Sequence, residues 1–270
     1  RLKRLIHLLA ITFLIERDVT STMFLQKFLA LIFILATTAQ EVAENNSFPQ
    51  MLGNCKYGAS EFDSCMKTLL NELRKYFKTG FPEFNIRPFD PHTAATVEQR
   101  RGDNNGLLGY KLILRNVSEY GWVNSRVTKF KSDPKGNRII YSQYFPEKSL
   151  DGYYEFSGGV MGSPLRRKGV WNLTLYDYSQ TTTVRRLGGP GAPLKVNVVV
   201  DKIGNMNLHI SDFFGSQRQF LNGVADTVIN NMWSVGLPVV RPLINDLVST
   251  AFTEIFNNSF RHFPWEQFIK

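Results

Sequence analysis

Cysteine is nearly absent: Cys55 and Cys65 are the only two in 270 residues. A disulfide-dense scaffold is therefore excluded. A zinc site would need two further ligands close by, and His7, His92, His209 and His262 show no such spacing. Catalytic signatures are missing as well. There is no G-x-S-x-G, no H-E-x-x-H, no G-x-x-x-x-G-K-[ST] and no G-x-G-x-x-G after a strand-like run. His92, His209 and His262 each lack a nearby acid–nucleophile pattern, so the chain reads as a non-enzyme without metal or cofactor. Charged residues are scarce, 20% against 43% hydrophobic and 13% aromatic, which excludes disorder as the overall state. Glycine has no period, which excludes a collagen-like chain.

What is present begins with a leader. The first Met is Met23, followed by Lys27, the apolar run Phe28 to Ala36, and small residues Thr37-Thr38-Ala39. That layout is a secretory signal over residues 23–39, and the run is far short of the roughly 20 residues that span a bilayer. Residues 1–22, with another apolar run from Leu5 to Leu14, read as upstream sequence outside the mature protein, and residues 40–270 as one domain. From residue 40 the charge is +6, from 27 basic and 21 acidic side chains. Its clusters, Arg100-Arg101, Arg166-Arg167-Lys168 and Arg185-Arg186, suit solvated turns, not a nucleic-acid stripe.

Both cysteines follow the leader, so in an oxidising compartment they pair with each other, closing a short loop worth about 2.5–3 kcal/mol in the chain-entropy account. Four N-x-[ST] sequons, at Asn45, Asn116, Asn172 and Asn257, fit the same compartment. Asn116 and Asn172 lie in strand-like stretches, so their side chains should point outward.

The hydrophobic period divides the rest. Phe62, Met66, Leu69, Leu70, Leu73 and Phe77 predict an amphipathic helix over Glu61 to Lys78. Pro82, Pro88 and Pro91 enforce an extended connector. From about Gly106 to Ile210 the period is two: Tyr110 to Leu114, Ile139 to Tyr144, Val170 to Tyr176, Leu194 to Val200 and Met206 to Ile210 alternate, with turns at Asp133–Asn137 and Gly188–Gly191. Consecutive strands without helices between them predict an antiparallel meander. Several carry apolar residues on both faces, more than a sheet wet on one side needs. From about Gln217 to Phe260 the helical period returns. Phe220, Leu221, Val224 and Val228 form one stripe; Val240, Leu243, Ile244, Leu247, Val248, Ala251, Phe252, Ile255 and Phe256 form another. Arg241, Asn245, Asp246, Ser249, Thr250 and Thr253 should face away from it, and Gly236, Pro238 and Pro242 should kink it. If continuous, this segment reaches roughly 65 Å. The predicted class is α+β: a long C-terminal helix wrapped by a strongly curved antiparallel sheet, enclosing an elongated hydrophobic tunnel that holds an apolar ligand.

Short motifs carry a resemblance over about Cys55 to Phe268. They are the early pair Cys55…Cys65, the connector from Gly80-Phe81-Pro82-Glu83 to Pro88-Phe89-Asp90-Pro91, Leu114-Arg115-Asn116-Val117-Ser118-Glu119-Tyr120-Gly121, and Leu150-Asp151-Gly152-Tyr153-Tyr154. Phe220-Leu221-Asn222, Asn231-Met232-Trp233 and Pro264 follow in order. The chain resembles the takeout / juvenile-hormone-binding-protein family of insects. The resemblance implies a secreted, non-enzymatic carrier of a small lipophilic molecule (a terpenoid hormone, a fatty acid or a similar lipid) in a fold of the tubular lipid-binding type. The single cysteine pair is more like takeout-type members than hormone carriers with further bridges, so juvenile hormone itself is not implied. Ile210 to Gly215 departs from the family's turn before the helix.

The candidate tunnel wall is Phe130, Tyr141, Phe156, Trp171, Leu173, Val198 and Leu208 from the sheet, with Val224, Val228, Trp233, Leu247, Ala251 and Phe252 from the helix. Plain core packing is the alternative for each. Tyr141 and Trp233 are the candidates for a polar contact, since a buried O–H or indole N–H seeks a partner. Partners are the ligand and a receptor or membrane surface for its transfer, without stable membrane insertion or nucleic acid. The rival reading is a peripheral membrane-surface lipid-interacting protein, supported by the modest positive charge and by Phe263 and Trp265, taken as exposed. A third is an interaction protein with a solid interior.

Overall fold

The computed structural model describes residues 48–102, 109–160, 163–214 and 219–263. The leader, the upstream segment, Asn45, Pro264 and Trp265 lie outside the described residues. The chain divides into two units, residues 1–51 and residues 52–270.

A short helix α1 (Phe48–Gly53) leads to α2 (Phe62–Glu72), which tightens into a 3-10 turn over Leu73–Tyr76. Phe62, Met66, Leu69 and Leu73 recur at helical spacing and are all buried. Cys55 and Cys65 form a disulfide with their Cα atoms 5.6 Å apart. Seven strands follow: β1 (His92–Arg101), β2 (Tyr110–Tyr120), β3 (Arg126–Asp133), β4 (Arg138–Val160), β5 (Ser163–Arg186), β6 (Leu194–Lys202) and β7 (Asn205–Ile210). The last element is α3 (Gln219–Phe260), 42 residues and about 63 Å long.

All the alternating segments are strands, but they do not make a simple meander. The order is β1-β2-β4-β5-β6, with β3 also on β4 and β7 also on β5. The reason is length. β4 and β5 run for 23 and 24 residues and pair along almost all of it. Each is long enough to take two short partners end to end. β3 pairs with the first part of β4 and β2 with the second; β7 pairs with the first part of β5 and β6 with the second. The sheet therefore has two halves, and the interior differs between them.

The terminal strands of this order, β1 and β6, both reach α3. Gln99 of β1 donates from Nε2 to Leu243 O (3.0 Å) and to Asp246 Oδ2 (2.7 Å). On the other side the helix lies along β6. The backbone N–H groups of Val200, Val198, Val196 and Leu194 donate to Asn245 Oδ1, Ser249 Oγ, Thr253 Oγ1 and Asn257 Oδ1, at 2.8–3.0 Å. Upstream, Leu208 N and Ile210 N of β7 donate to Asn230 Oδ1 and Asp226 Oδ1. Edge-strand amides that would otherwise be open are thus bonded by short polar side chains on every fourth residue of the helix. The sheet must curl to bring both of its ends to one helix, and α3 completes the ring.

Two expectations are corrected. Asn245, Ser249 and Thr253 do not face away into water; they form the seam with β6. Their spacing alone reads as a polar surface stripe, because sequence cannot distinguish water from a strand edge as the partner. Phe263 is not exposed: it is buried and packs edge-on to Phe84, ring centroids 5.7 Å apart. The edge of β3 is covered in the same manner by α2, where Asn71 exchanges two bonds with Val127 and Asp63 accepts from Ser132 N.

Candidate functional site

Strand register fixes which side chains face the concave side. Tyr110, Leu112 and Leu114 of β2 stand opposite Gly158, Phe156 and Tyr154 of β4. Leu150, Gly152, Tyr154 and Phe156 stand opposite Leu173, Trp171, Gly169 and Arg167 of β5, and Trp171 and Leu173 stand opposite Ile210 and Leu208 of β7.

In the half built from β3, β6 and the facing parts of β4 and β5, the interior is filled. Trp122, Tyr141, Phe145, Tyr178, Val196, Val198 and Phe252 form one buried cluster, with Phe145, Val196 and Val198 at 0% exposure. In the other half the inward positions Leu112, Leu114, Phe156, Trp171, Leu173, Leu208 and Ile210 are only partly covered. There α3 carries Val224, Val228, Met232, Val235, Val239 and Val240, all exposed; Val235 is 74% and Val239 80% open. At 100° per residue, Val228, Met232, Val235 and Val239 lie roughly 140–180° around the helix from Asn230, the residue that grips β7. They form an unfilled apolar stripe on the side away from that seam.

Between the halves lies a buried charged floor. Lys148 of β4 is 3% exposed and pairs with Glu119 of β2, on whose other oxygen His92 of β1 closes to 3.6 Å. The ammonium sits over four rings: Phe145 at 4.4 Å, Tyr178 at 4.9 Å, Trp122 at 5.0 Å and Phe252 at 5.9 Å. Such contacts strengthen when desolvated. Gln180 accepts from Lys148 Nζ and from Tyr178 O–H, and donates to Thr182 Oγ1. Burial by itself would raise the Glu119 pKa, but Lys148 and His92 outweigh it and hold the carboxyl down to about 2. Burial pushes the Tyr141 and Tyr178 hydroxyls upward, so both stay neutral. The floor is therefore one ion pair inside an aromatic box.

The expected wall residues fall in two places. Tyr141, Val198 and Phe252 belong to the filled cluster, with Phe130 and Leu173 packed against it. Phe156, Trp171 and Leu208 line the partly covered half; Phe156 stacks on Tyr110 at 6.0 Å. Val224 and Val228 are on the exposed stripe, while Trp233, Leu247 and Ala251 are half-buried. Among the described residues four buried polar side-chain atoms lack a hydrogen-bond partner, His92 Nδ1, Trp122 Nε1, Arg241 Nε and Trp171 Nε1, and the last of these is in the partly covered half. It lies over Gly152, where an added Cβ would come within 3.3 Å of it and 2.9 Å of Arg115 O. Sequence reasoning did not single out Tyr110, Leu112 and Leu114 on the inner face of the sheet, nor the exposed Met232, Val235 and Val239 of α3. The alternation over Tyr110 to Leu114 held the signal for the first three, and the helical spacing of Val228, Met232, Val235 and Val239 for the rest. Glu119 and Lys148 carry no local signal.

Residues 30–270 match the family described as haemolymph juvenile hormone binding protein. The circadian clock-controlled protein daywake of Drosophila yakuba is 22% identical over 253 residues, covering 88% of this chain and 94% of its own. Daywake of Drosophila melanogaster is 22% identical over 257 residues, 90% of this chain and 96% of its own. Among solved structures, Takeout 1 of Epiphyas postvittana is 17% identical, covers 74% of this chain and 92% of its own, and superposes with a TM-score of 0.47.

Proposed function

The chain belongs to the haemolymph juvenile hormone binding protein family, and from that premise we propose that it is a secreted, non-enzymatic carrier of a small hydrophobic ligand. Residues 40–270 act as one carrier domain, and residues 23–39 as its signal. The family is one of binding proteins for hydrophobic ligands. The observation that carries the proposal for this chain is the contrast between the two halves of the interior. One is packed to 9% exposure or less, while the other presents the half-covered inner face, with the open Val/Met stripe on α3. Apolar area left in water is an unfavourable state that a ligand relieves, at about 25 cal/mol per Å². A ligand burying roughly 300 Å² gains about 7 kcal/mol before association costs. From Val224 to Val240 the stripe measures about 24 Å, so an elongated chain fits better than a compact one. The unpartnered Trp171 N–H is suited to a ligand oxygen that fixes its direction.

Charging the stripe tests this. Val235→Lys with Val239→Lys should lower affinity for a fluorescent long-chain fatty acid at least tenfold. The unfolding midpoint should stay where it was, because both side chains are already exposed. A ligand-free secreted protein that ignores the probe, or a charged variant that binds as well as the parent, would count against the carrier.

Secretion makes a second prediction. Asn116 and Asn172 are exposed, whereas the Asn257 amide donates to Leu194 O (2.8 Å) and Thr253 O (2.6 Å) and accepts from Leu194 N (2.9 Å). A glycan on that nitrogen would remove a rung of the seam and wedge it open. Peptide mapping of the secreted protein after enzymatic deglycosylation should therefore find the converted residue at Asn116 and Asn172 but not at Asn257. Substantial occupancy at Asn257 would mean that this seam does not form.

A further inference from the structure

The outer face of the sheet carries a feature that ligand binding does not use. Pairing places Arg100 beside Lys111, Lys111 beside Ser157, and Ser157 beside Arg166. These four form one row across β1, β2, β4 and β5, roughly 14 Å wide at the usual strand spacing. The next row inward is Glu98, Ile113, Glu155 and Lys168. Glu98 is shared by Arg100 and Lys111. Among the described residues, Arg166 and Lys168 have no carboxylate partner within ion-pair distance, and both are exposed. The two rows border a shallow cleft of about 450 Å³.

This row lies at the same end as the unfilled half of the interior. Asp226 of α3 bonds Ile210, Ile210 stands opposite Trp171, and Trp171 follows Lys168 by three residues. Val224 and Val228 lie two residues either side of Asp226 and project about 160° around the helix from it. One end of the domain thus combines a line of cations with uncovered apolar side chains. A single small anion would be held by converging donors, whereas these cations are spread along a line. A nucleic-acid strand has no use for the valine stripe. A bilayer offers both counterparts, anionic headgroups and acyl chains.

We propose that this end of the domain docks on anionic lipid bilayers, with Lys111, Arg166 and Lys168 reading the headgroups while the adjacent Val/Met stripe faces the lipid. The proposal rests on the carrier reading and gives it the place where ligand enters and leaves. Lipid-bound ligand need not cross water if the apolar stripe meets the bilayer directly, and the cations set the orientation.

Vesicle flotation of the full secreted chain tests it, using phosphatidylcholine alone and phosphatidylcholine with 30% phosphatidylglycerol. The variant Lys111→Gln/Arg166→Gln/Lys168→Gln is compared with Lys129→Gln/Lys131→Gln/Lys135→Gln, three exposed cations on β3 and its turn. Each basic group near an anionic surface is worth several-fold in partitioning, so the first variant should lose on the order of a hundredfold on anionic vesicles. The second should keep most of its binding, and added salt should weaken the parent. Fatty-acid affinity in vesicle-free solution should be the same for all three. Equal losses in both variants, equal flotation on neutral vesicles, or no flotation of the parent would overturn the docking surface. If fatty-acid binding is absent while flotation still depends on the row, the docking surface stands and the carrier reading falls.

Discussion

Replacing Lys148 by Met should cost the fold about 3–5 kcal/mol, the usual penalty for breaking a buried ion pair from one side. Glu119 would be left as a carboxylate in an interior that offers it only His92. The Lys148→Met/Glu119→Leu double variant should recover much of the loss, because two apolar groups of similar size need no partners. Urea unfolding of the parent and the variants separates these outcomes. A single variant costing less than 1 kcal/mol, or a double variant worse than the single, would mean that the pair is not buried as described.

The same pair sets an acid limit. The Glu119 pKa in the fold, about 2, is below its ordinary 4.5. A depressed carboxylate contributes stability that is complete above the unfolded value and is lost as the pH falls through the folded one. The parent should therefore lose on the order of 3 kcal/mol between about pH 4.5 and pH 2. Lys148→Met should flatten that slope, since the ammonium is the main group opposing the effect of burial. Unfolding free energies measured at intervals from pH 6 to pH 2 give the comparison directly.

The second large effect concerns the seam between α3 and β6. Ser249→Ala with Thr253→Val keeps helix and apolar core but leaves Val198 N–H and Val196 N–H without acceptors. Each orphaned buried donor costs about 1–3 kcal/mol, so the pair should cost about 2–6 kcal/mol. Thr250→Ala with Glu254→Ala, on the exposed side of the same turns, should stay within about 0.5 kcal/mol. Amide exchange at Val196 and Val198 should accelerate in the first variant alone. Unchanged protection there would show that water, not the helix, satisfies that edge.

Much of this architecture is written in periodicity. Val196, Val198 and Val200 alternate with Lys195, Asn197, Val199 and Asp201, and a period of two on a fully buried face admits little besides strand. The long helix follows from its apolar spacing for the same reason. β1 was illegible because its inward positions are His92, Ala94, Val97 and Gln99, only one of them strongly apolar. Its polar members face Glu119, 3.6 Å from His92, and α3, which Gln99 bonds, both distant in sequence. The charged floor was illegible for a related reason. Glu119 and Lys148 meet only once β2 and β4 are in register, with Glu119 opposite Leu150. Spacing identifies apolar residues that face inward, but whether that interior is filled depends on how two long strands divide their partners.

The seam along α3 has a mechanical consequence. Four helical residues advance about 6.0 Å, and two strand residues about 6.7 Å. Helix and strand are rulers with slightly different graduations. From Asn245 to Asn257 they drift apart by roughly 2 Å, near what side chains can absorb. Among the described residues no side chain of α3 between Asn230 and Asn245 bonds β6 or β7, although Gln99 of β1 holds Leu243 O, and the helix carries Pro238 and Pro242 in that interval, where two backbone amides are missing from its own ladder. The count restarts there. Any tilt of the upstream rod about this joint would leave the four downstream rungs engaged.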